Sequence, residues 1–255
     1  MKTYFVFSDV HGFYTKLQET LIEVGFDIDN QEHIIISCGD LLDRGNEPMQ
    51  CLEFVNFMYS QGRAILIRGN HEDLIEDLFQ RGEFESHDYH NGTAQTCIDL
   101  VGDITISDAD EIIPTASQNK LYKEYSSHLI DYYELGKYVF VHGWIPCHTN
   151  YKTYKKEPIP DWKVGSWSKA RWENGMEAWS DGVRLDGKTI VCGHWHTSWG
   201  HSVIDGTCKE FSENKEEEDF SPFIHEGICA IDACTAYSGK VNVYVIEEDK
   251  IDFNV

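Results

Sequence analysis

The stretch His33-Ile34-Ile35-Ile36-Ser37-Cys38-Gly39-Asp40-Leu41-Leu42-Asp43-Arg44-Gly45 decides the fold class of this chain. His33–Cys38 is β-branched and apolar at its centre, without the polar alternation of a half-exposed strand. That marks a strand covered on both faces. The run then stops at a glycine followed by a carboxylate. Two flanking apolar stretches also end at polar, glycine-containing motifs: Tyr4–Ser8 runs into Asp9-Val10-His11-Gly12, and Ala64–Arg68 runs into Gly69-Asn70-His71. Helical periodicity fills the gaps. Phe13, Leu17, Leu21 and Val24 recur at helical spacing and are closed by Gly25. Asn46 and Pro48 read as the cap and first turn of a helix carrying Met49, Leu52, Val55 and Tyr59. Strand–helix–strand order predicts parallel strands with helical crossovers, an α/β fold.

Farther along, the signal changes. Residues 82–136 mix helices with polar turns and read as a helical, cap-like insertion. The strand pattern resumes at Tyr138–Val141, ending in His142-Gly143, and at Thr189–Cys192, ending in Gly193-His194-Trp195-His196. Residues 202–226 are polar and acidic, with the run Glu216-Glu217-Glu218-Asp219, and read as a long solvated loop. Gly227–Ile231 and Val241–Ile246 read as closing strands. No repeat and no long linker divides the 255 residues, so a single domain over 1–255 is expected.

Composition narrows the function. With 44 acidic against 21 basic residues the formal charge is −23, and no basic stripe exists to neutralise phosphates. No nucleic-acid partner and no anionic membrane partner are expected. A hydrophobic content of 41% supports a real core despite the acidity. The start, Met1–Ser8, has no signal-peptide pattern, no window approaches the roughly 20 apolar residues of a membrane span, and the eight cysteines include no C-x-x-C pair. A reduced, cytoplasmic protein is the expectation.

The chemistry lies at the strand ends. Five of them deliver metal-ligand residue types: Asp9 with His11, Asp40, Asn70, His142, and His194 with His196. In open α/β sheets such groups converge at the carboxyl edge of the strands. Mixed oxygen and imidazole donors suit manganese, iron or zinc, and a carboxylate can bridge two ions roughly 3.5–4 Å apart.

These motifs, Asp9-Val10-His11-Gly12, Gly39-Asp40-Leu41-Leu42-Asp43-Arg44-Gly45, Gly69-Asn70-His71-Glu72, His142-Gly143 and Gly193-His194-x-His196, resemble those of the calcineurin-like metallophosphoesterases. The Asp-Arg-Gly ending, the Glu after Asn-His and the tail Ile231–Lys240 are similar to the phosphoprotein phosphatase branch. That branch includes bacterial and phage-lambda-type enzymes and has diadenosine tetraphosphatase relatives. The resemblance implies a two-sheet sandwich flanked by helices, holding two divalent or trivalent metal ions, manganese first, with iron or zinc as alternatives. It places one metal on Asp9, His11 and Asp40, and the second on Asp40, Asn70, His142 and His194, with Asp40 bridging. His196 reaches the first metal in the broader superfamily.

By the same resemblance His71 is the general acid and Asp43 its orienting partner. Arg44 and Asn70 bind the phosphate, Arg171 is the candidate second clamp with Arg184 behind it, and Tyr237 lines the pocket. Two cations acidify a shared water, and an imidazole held charged by a carboxylate protonates the leaving alkoxide. Three departures stand out: Ser8 for the usual Gly before the first Asp, Trp144 after His142-Gly143, and Trp195 between the last two histidines. The indoles read either as faces that stack on a nucleobase or as core. The expected activity is hydrolysis of phosphomonoesters by a serine/threonine-type protein phosphatase, with a phosphorylated protein or a small phosphoester as substrate. Symmetrical diadenosine tetraphosphatase is the alternative. A binding module that has lost catalysis is disfavoured, because His71, Asp43, Arg44 and every ligand position are intact.

Overall fold

The computed structural model describes residues 1–102, 105–106 and 108–251. Strands and helices alternate through β1 (Thr3–Phe7), α1 (Tyr14–Glu23), β2 (His33–Ser37), α2 (Pro48–Ser60), β3 (Ala64–Leu66) and α3 (Asn70–Arg81). Four helices follow: α4 (Ser86–Asn91), α5 (Thr93–Val101), α6 (Ala109–Ala116) and α7 (Lys120–Ser127). Next come β4 (Tyr133–Leu135), β5 (Tyr138–Phe140), the hairpin β6 (Cys147–Asn150) and β7 (Lys155–Pro158), and the short helices α8 (Trp167–Ala170) and α9 (Gly175–Ser180). The chain closes through β8 (Thr189–Cys192), α10 (Thr197–Trp199), β9 (Phe223–His225), β10 (Ile228–Ala230), α11 (Thr235–Ser238) and β11 (Val243–Glu247).

The strands build a four-stranded sheet, ordered β11-β1-β2-β3, and a five-stranded sheet, ordered β4-β5-β8-β10-β9. The inner pairs β1–β2, β2–β3, β5–β8 and β8–β10 are parallel, while β11, β4 and β9 join antiparallel at the edges. Alternate residues of β1 and β2 supply two separate cores. Val6, Ile34 and Ile36 face the second sheet's Phe140, Val191 and Cys229, whereas Phe5, Phe7 and Ile35 pack beneath the helices with Leu17, Leu52 and Val55. This double covering is why the strand sequences are continuously apolar, each buried aliphatic or aromatic side chain contributing about 1.5–3 kcal/mol. A third core on the far face of the second sheet gathers Val139, Trp144, Met176 and Ile190. The α/β two-sheet sandwich with flanking helices matches the expectation.

Details differ. The N-cap of α2 is Glu47 rather than Asn46, with Pro48 filling the first helical position, where its missing N–H costs nothing. Strand β3 stops at Leu66, two residues short of Arg68, and Ile67 makes only an isolated bridge to Ile130. The insertion at 82–136 is helical but ends in β4; Asp103, Ile104 and Ser107 within it lie outside the described residues. The acidic segment 202–226 is not wholly loop, because it contains a 3-10 turn at Lys215–Glu217 and the edge strand β9. The β6–β7 hairpin was invisible to hydrophobic pattern, since Lys155–Pro158 carries no apolar alternation. All eight cysteines are free, and no helix among the described residues is long and apolar enough to cross a membrane.

Sheet register prepares the site. Phe7 pairs with Ser37, and Ser37 with Leu66, so the three strands end level. The ladder continues past them: the Asp9 amide donates to the Gly39 carbonyl (3.1 Å), His11 to Asp40 (3.0 Å) and Gly12 to Leu41 (2.8 Å). The strand-end loops are therefore stitched to each other before any side chain contributes.

Candidate dinuclear metal site

The backbone of these loops is unusual in one respect. Eight non-glycine residues among those described have positive φ, and six of them are Asp9, His11, Asp40, Asp43, Arg44 and His194. Left-handed backbone at a non-glycine residue costs of order 1–3 kcal/mol and persists where surrounding contacts over-determine it. Here it turns successive side chains toward one point. His71 and Asn70 arrive instead on the first turn of α3, whose positive dipole end faces the Asp40 carboxylate. The His71 amide donates to Asp40 Oδ1 at 3.0 Å.

Asp40 stands at the centre. Its Oδ2 lies 3.7 Å from His11 Nε2 and 3.9 Å from His71 Nε2, while its Oδ1 lies 3.3 Å from His142 Nε2. Two donor groups result, His11–Asp40–His71 and Asp40–His142–His194, sharing this one carboxylate. Ligands about 2.1 Å from an ion at tetrahedral or octahedral angles are themselves about 3.0–3.4 Å apart, so the observed spacings need only small closure to hold one. Asp9 Oδ1 is 3.9 Å from His11 Nε2, and Asn70 Oδ1 is 2.8 Å from His142 Nε2, which puts both beside the two groups.

Two further observations fit cations here. First, the imidazoles are pre-oriented: His11 Nδ1 faces only the Leu42 carbonyl (3.0 Å) and His142 Nδ1 the Cys38 carbonyl (2.7 Å). A nitrogen facing a carbonyl must be the N–H, so Nε2 of each ring is the one turned to the cluster: a lone pair on His11, and on His142 once its second proton leaves. Second, the charges do not balance. Asp9, Asp40, Asp43, Glu72 and Asp232 are all buried, with Arg44 as the one guanidinium among them. Carboxylates gathered away from water repel one another even where hydrogen-bonded, and cations offset that repulsion.

Proton affinities reflect the same imbalance. Burial opposes charge on His142, but Asp40 and Asp9 outweigh it and push the pKa up to about 10. Burial and the neighbouring His142 push His194 down to about 3. Burial and His71 hold His11 well below the usual imidazole range. Burial also works against a charged His71, yet Asp40 and Asp43 raise it. Asp232 is pushed well up by burial and by Asp9. Metal binding must therefore displace a proton from His142, while His11 and His194 are already free.

His71 Nδ1 meets Asp43 Oδ2 at 2.7 Å, leaving Nε2 toward the cluster. Arg44 spans the mouth, with its two terminal nitrogens 3.0 Å from His11 Nε2 and 3.2 Å from His71 Nε2. Ser8 is accommodated because Gly193 lies opposite: a Cβ there would fall 2.0 Å from Ser8 Oγ and 2.1 Å from Asp9 Oδ2. The Ser8 hydroxyl donates to the Cys38 carbonyl at 3.1 Å.

Four residues expected at the site have other partners in this structure. Arg171 spends its fork on Asp73 (2.8 Å) and Asp131 (2.5 Å), and Arg184 stacks on Trp179 at 4.3 Å. His196 turns to Ser198 and Glu210, and Tyr237 donates to Glu218 while packing edge-on against Phe211. Trp144 is fully buried core, its indole N–H on the Val183 carbonyl. Trp195 is part exposed, and Trp172, which no motif singled out, stands half exposed with its ring 5.8 Å from His194.

Sequence reading also passed over the supports. Glu72 accepts from the amides of Gly69, Asp40 and Leu41 and from the Tyr125 hydroxyl, and Asp43 is held by Thr93 and Thr96. The Asn-Gly step before Thr93 was the one local signal, and it reads simply as a turn.

Comparison with known proteins agrees with this geometry. Residues 2–220 match the family described as calcineurin-like phosphoesterase. Serine/threonine-protein phosphatase 1 of Salmonella typhimurium is 35% identical over 72 residues, 28% of this chain and 31% of that protein. The symmetrical bis(5'-nucleosyl)-tetraphosphatase of Proteus mirabilis is 41% identical over 82 residues, 32% of this chain and 28% of that one. The chain spans about a third of the length of the curated relatives it matches. The crystal structure of a cold-active protein-tyrosine phosphatase from a psychrophilic Shewanella species shares the fold. It has a TM-score of 0.55 at 14% identity, over 97% of this chain and 76% of that one.

Proposed function

The chain belongs to the calcineurin-like phosphoesterase family, a family of phosphoester hydrolases, and on that premise we propose that it hydrolyses phosphomonoesters as a serine/threonine-type protein phosphatase. The observation that carries this reading is the His71–Asp43 pair opening onto two donor groups that share Asp40. Asp9, His11, Asp40, Asn70, His142 and His194 are proposed to hold two metal ions, manganese first. When bound, such ions supply Lewis acidity, acidifying a water and neutralising charge on the transferring phosphoryl group.

The chain's own residues do the rest. Arg44 leaves the two imidazoles and gives its fork to two phosphate oxygens, fixing the phosphoryl group in line. His71 carries a proton on Nε2 because Asp43 holds its Nδ1–H; that proton passes to the departing oxygen as the P–O bond breaks and its electron pair leaves with the oxygen. The alternative, a symmetrical dinucleoside tetraphosphatase, is favoured by one observation: Trp172 and Trp195 both expose indole faces next to His194. The manganese-loaded chain, given a phosphoserine peptide and diadenosine tetraphosphate side by side, should turn over the peptide with the higher kcat/KM. A strong preference for the dinucleotide replaces the first reading with the second. Inactivity on both and on phenyl phosphate refutes the enzyme claim.

A further inference from the structure

We propose that Thr93, on the helical insertion, is a positioning residue for proton delivery: its hydroxyl locks the Asp43 carboxylate in the one orientation that aims His71 at the leaving group. The proposal rests on the reading of His71 as the proton donor.

Three features of the structure carry it. Asp43 is fully buried, and its Oδ2 accepts two bonds of 2.7 Å, one from His71 Nδ1 and one from Thr93 Oγ1. Its other oxygen, Oδ1, is buried without a hydrogen-bond partner among the described residues. A carboxylate torsion is broad and nearly two-fold, so one bond from His71 leaves the group free to rock between its oxygens. The second donor on the same oxygen removes that freedom. Thr93 is itself fully buried, so water does not compete for its hydroxyl.

The rest of α5 is seated for the same purpose. Thr96 Oγ1, one turn on, accepts the Asp43 amide at 3.0 Å, so the helix grips both the backbone and the carboxylate of this residue. Gly92 allows the contact: its φ is +85°, and a Cβ there would fall 2.2 Å from the Arg44 nitrogen. The insertion therefore rests directly on the Asp43–Arg44 peptide. Thr93 and Thr96 lie 50 and 53 residues from Asp43, and no motif connects them to it.

A residue that only supports folding and one that aims a proton differ in which substrates they affect. 2,4-Dinitrophenyl phosphate expels a phenolate that needs no proton, whereas phenyl phosphate expels one that does. The test measures kcat for both substrates with the manganese-loaded full chain as wild type, Thr93→Val, Thr93→Ser, His71→Asn and His71→Asn/Thr93→Val, alongside metal content and melting temperature. Thr93→Val should lower kcat on phenyl phosphate about tenfold, the scale of losing a supporting partner, and leave dinitrophenyl phosphate within about twofold with metal content unchanged. Thr93→Ser should restore the phenyl rate, and the double variant should be no slower than His71→Asn. Equal losses on both substrates for Thr93→Val, alongside a selective loss for His71→Asn, overturn the role of Thr93 alone. Unselective loss for His71→Asn overturns the proton-donor reading, and the role of Thr93 with it. If Thr93→Val does not fold, Thr93→Ala decides on the same two substrates: a phenyl-selective loss upholds the hydroxyl's role, and equal losses on both, or none, overturn it.

Discussion

The chain carries two long departures from strand–helix alternation, and they meet the site in opposite ways. The helical insertion sends buried hydroxyls inward: Thr93 and Thr96 to Asp43, and Tyr125 to Glu72. The acidic segment around 202–226 draws site-motif residues outward, holding His196 through Glu210 and Tyr237 through Glu218. The first set of contacts lies away from water, where a lost partner leaves a desolvated group and costs the most. The second joins an exposed Tyr237 and a His196–Glu210 contact nearer solvent, where water can replace a lost partner. Sequence divergence alone does not tell a structural support from a surface appendage. Burial of the contacts does.

Replacing Asp40, the proposed shared ligand, sets the upper end of that scale. Asp40→Asn should remove both metals, and with them turnover, as read by metal analysis and phenyl phosphate hydrolysis; retention of one metal at full stoichiometry would show that the two donor groups are independent. His71→Asn comes next, with kcat for phenyl phosphate down about 10²–10³-fold and both metals retained. Loss of metal in that variant would make His71 a ligand, as its place in the His11–Asp40–His71 group allows.

Proton linkage gives a third measure. In the metal-free chain the His142 pKa is raised from 6.5 to about 10, so its contribution to stability is complete below pH 6.5 and is lost as pH rises toward 10. The metal-loaded chain carries no such proton. The rise in melting temperature on adding manganese should therefore grow between pH 6.5 and 9; a gain independent of pH would sink the link between His142 and the metal.

The two insertions themselves supply the smaller effects. Tyr125→Phe removes one donor from buried Glu72 and should cost about 1–3 kcal/mol in denaturant unfolding, with a few-fold loss in kcat. Glu210→Gln should change stability by less than about 0.5 kcal/mol and leave metal content and kcat alone. Higher metal occupancy in Glu210→Gln would mean that the acidic segment restrains His196 from the site, and the contrast between the two insertions would fail.

Much of this could be read from the chain directly. His33–Cys38 announced a doubly covered strand because burial on both faces leaves no polar alternation; Tyr4–Ser8 and Thr189–Cys192 read as strands from their apolar runs, and the ligand types at their ends followed from covalent adjacency. The partners of the phosphate-clamp and pocket candidates could not be read in the same way. Arg171 satisfies its charge on Asp73 and Asp131, 98 and 40 residues away, and Tyr237 finds Glu218. Neither partner carries a local signal. Trp144 gave no hint of whether it sat at the mouth or in the core, since an indole serves both.

What the sequence by itself determined was the set of strands and the chemistry at their carboxyl ends, because periodicity and adjacency are properties of a few consecutive residues. Only the tertiary structure decided which charges and hydroxyls reach that edge. Each such side chain takes the best partner that packing brings within about 3 Å, and Arg171, His196 and Thr93 found theirs across the fold.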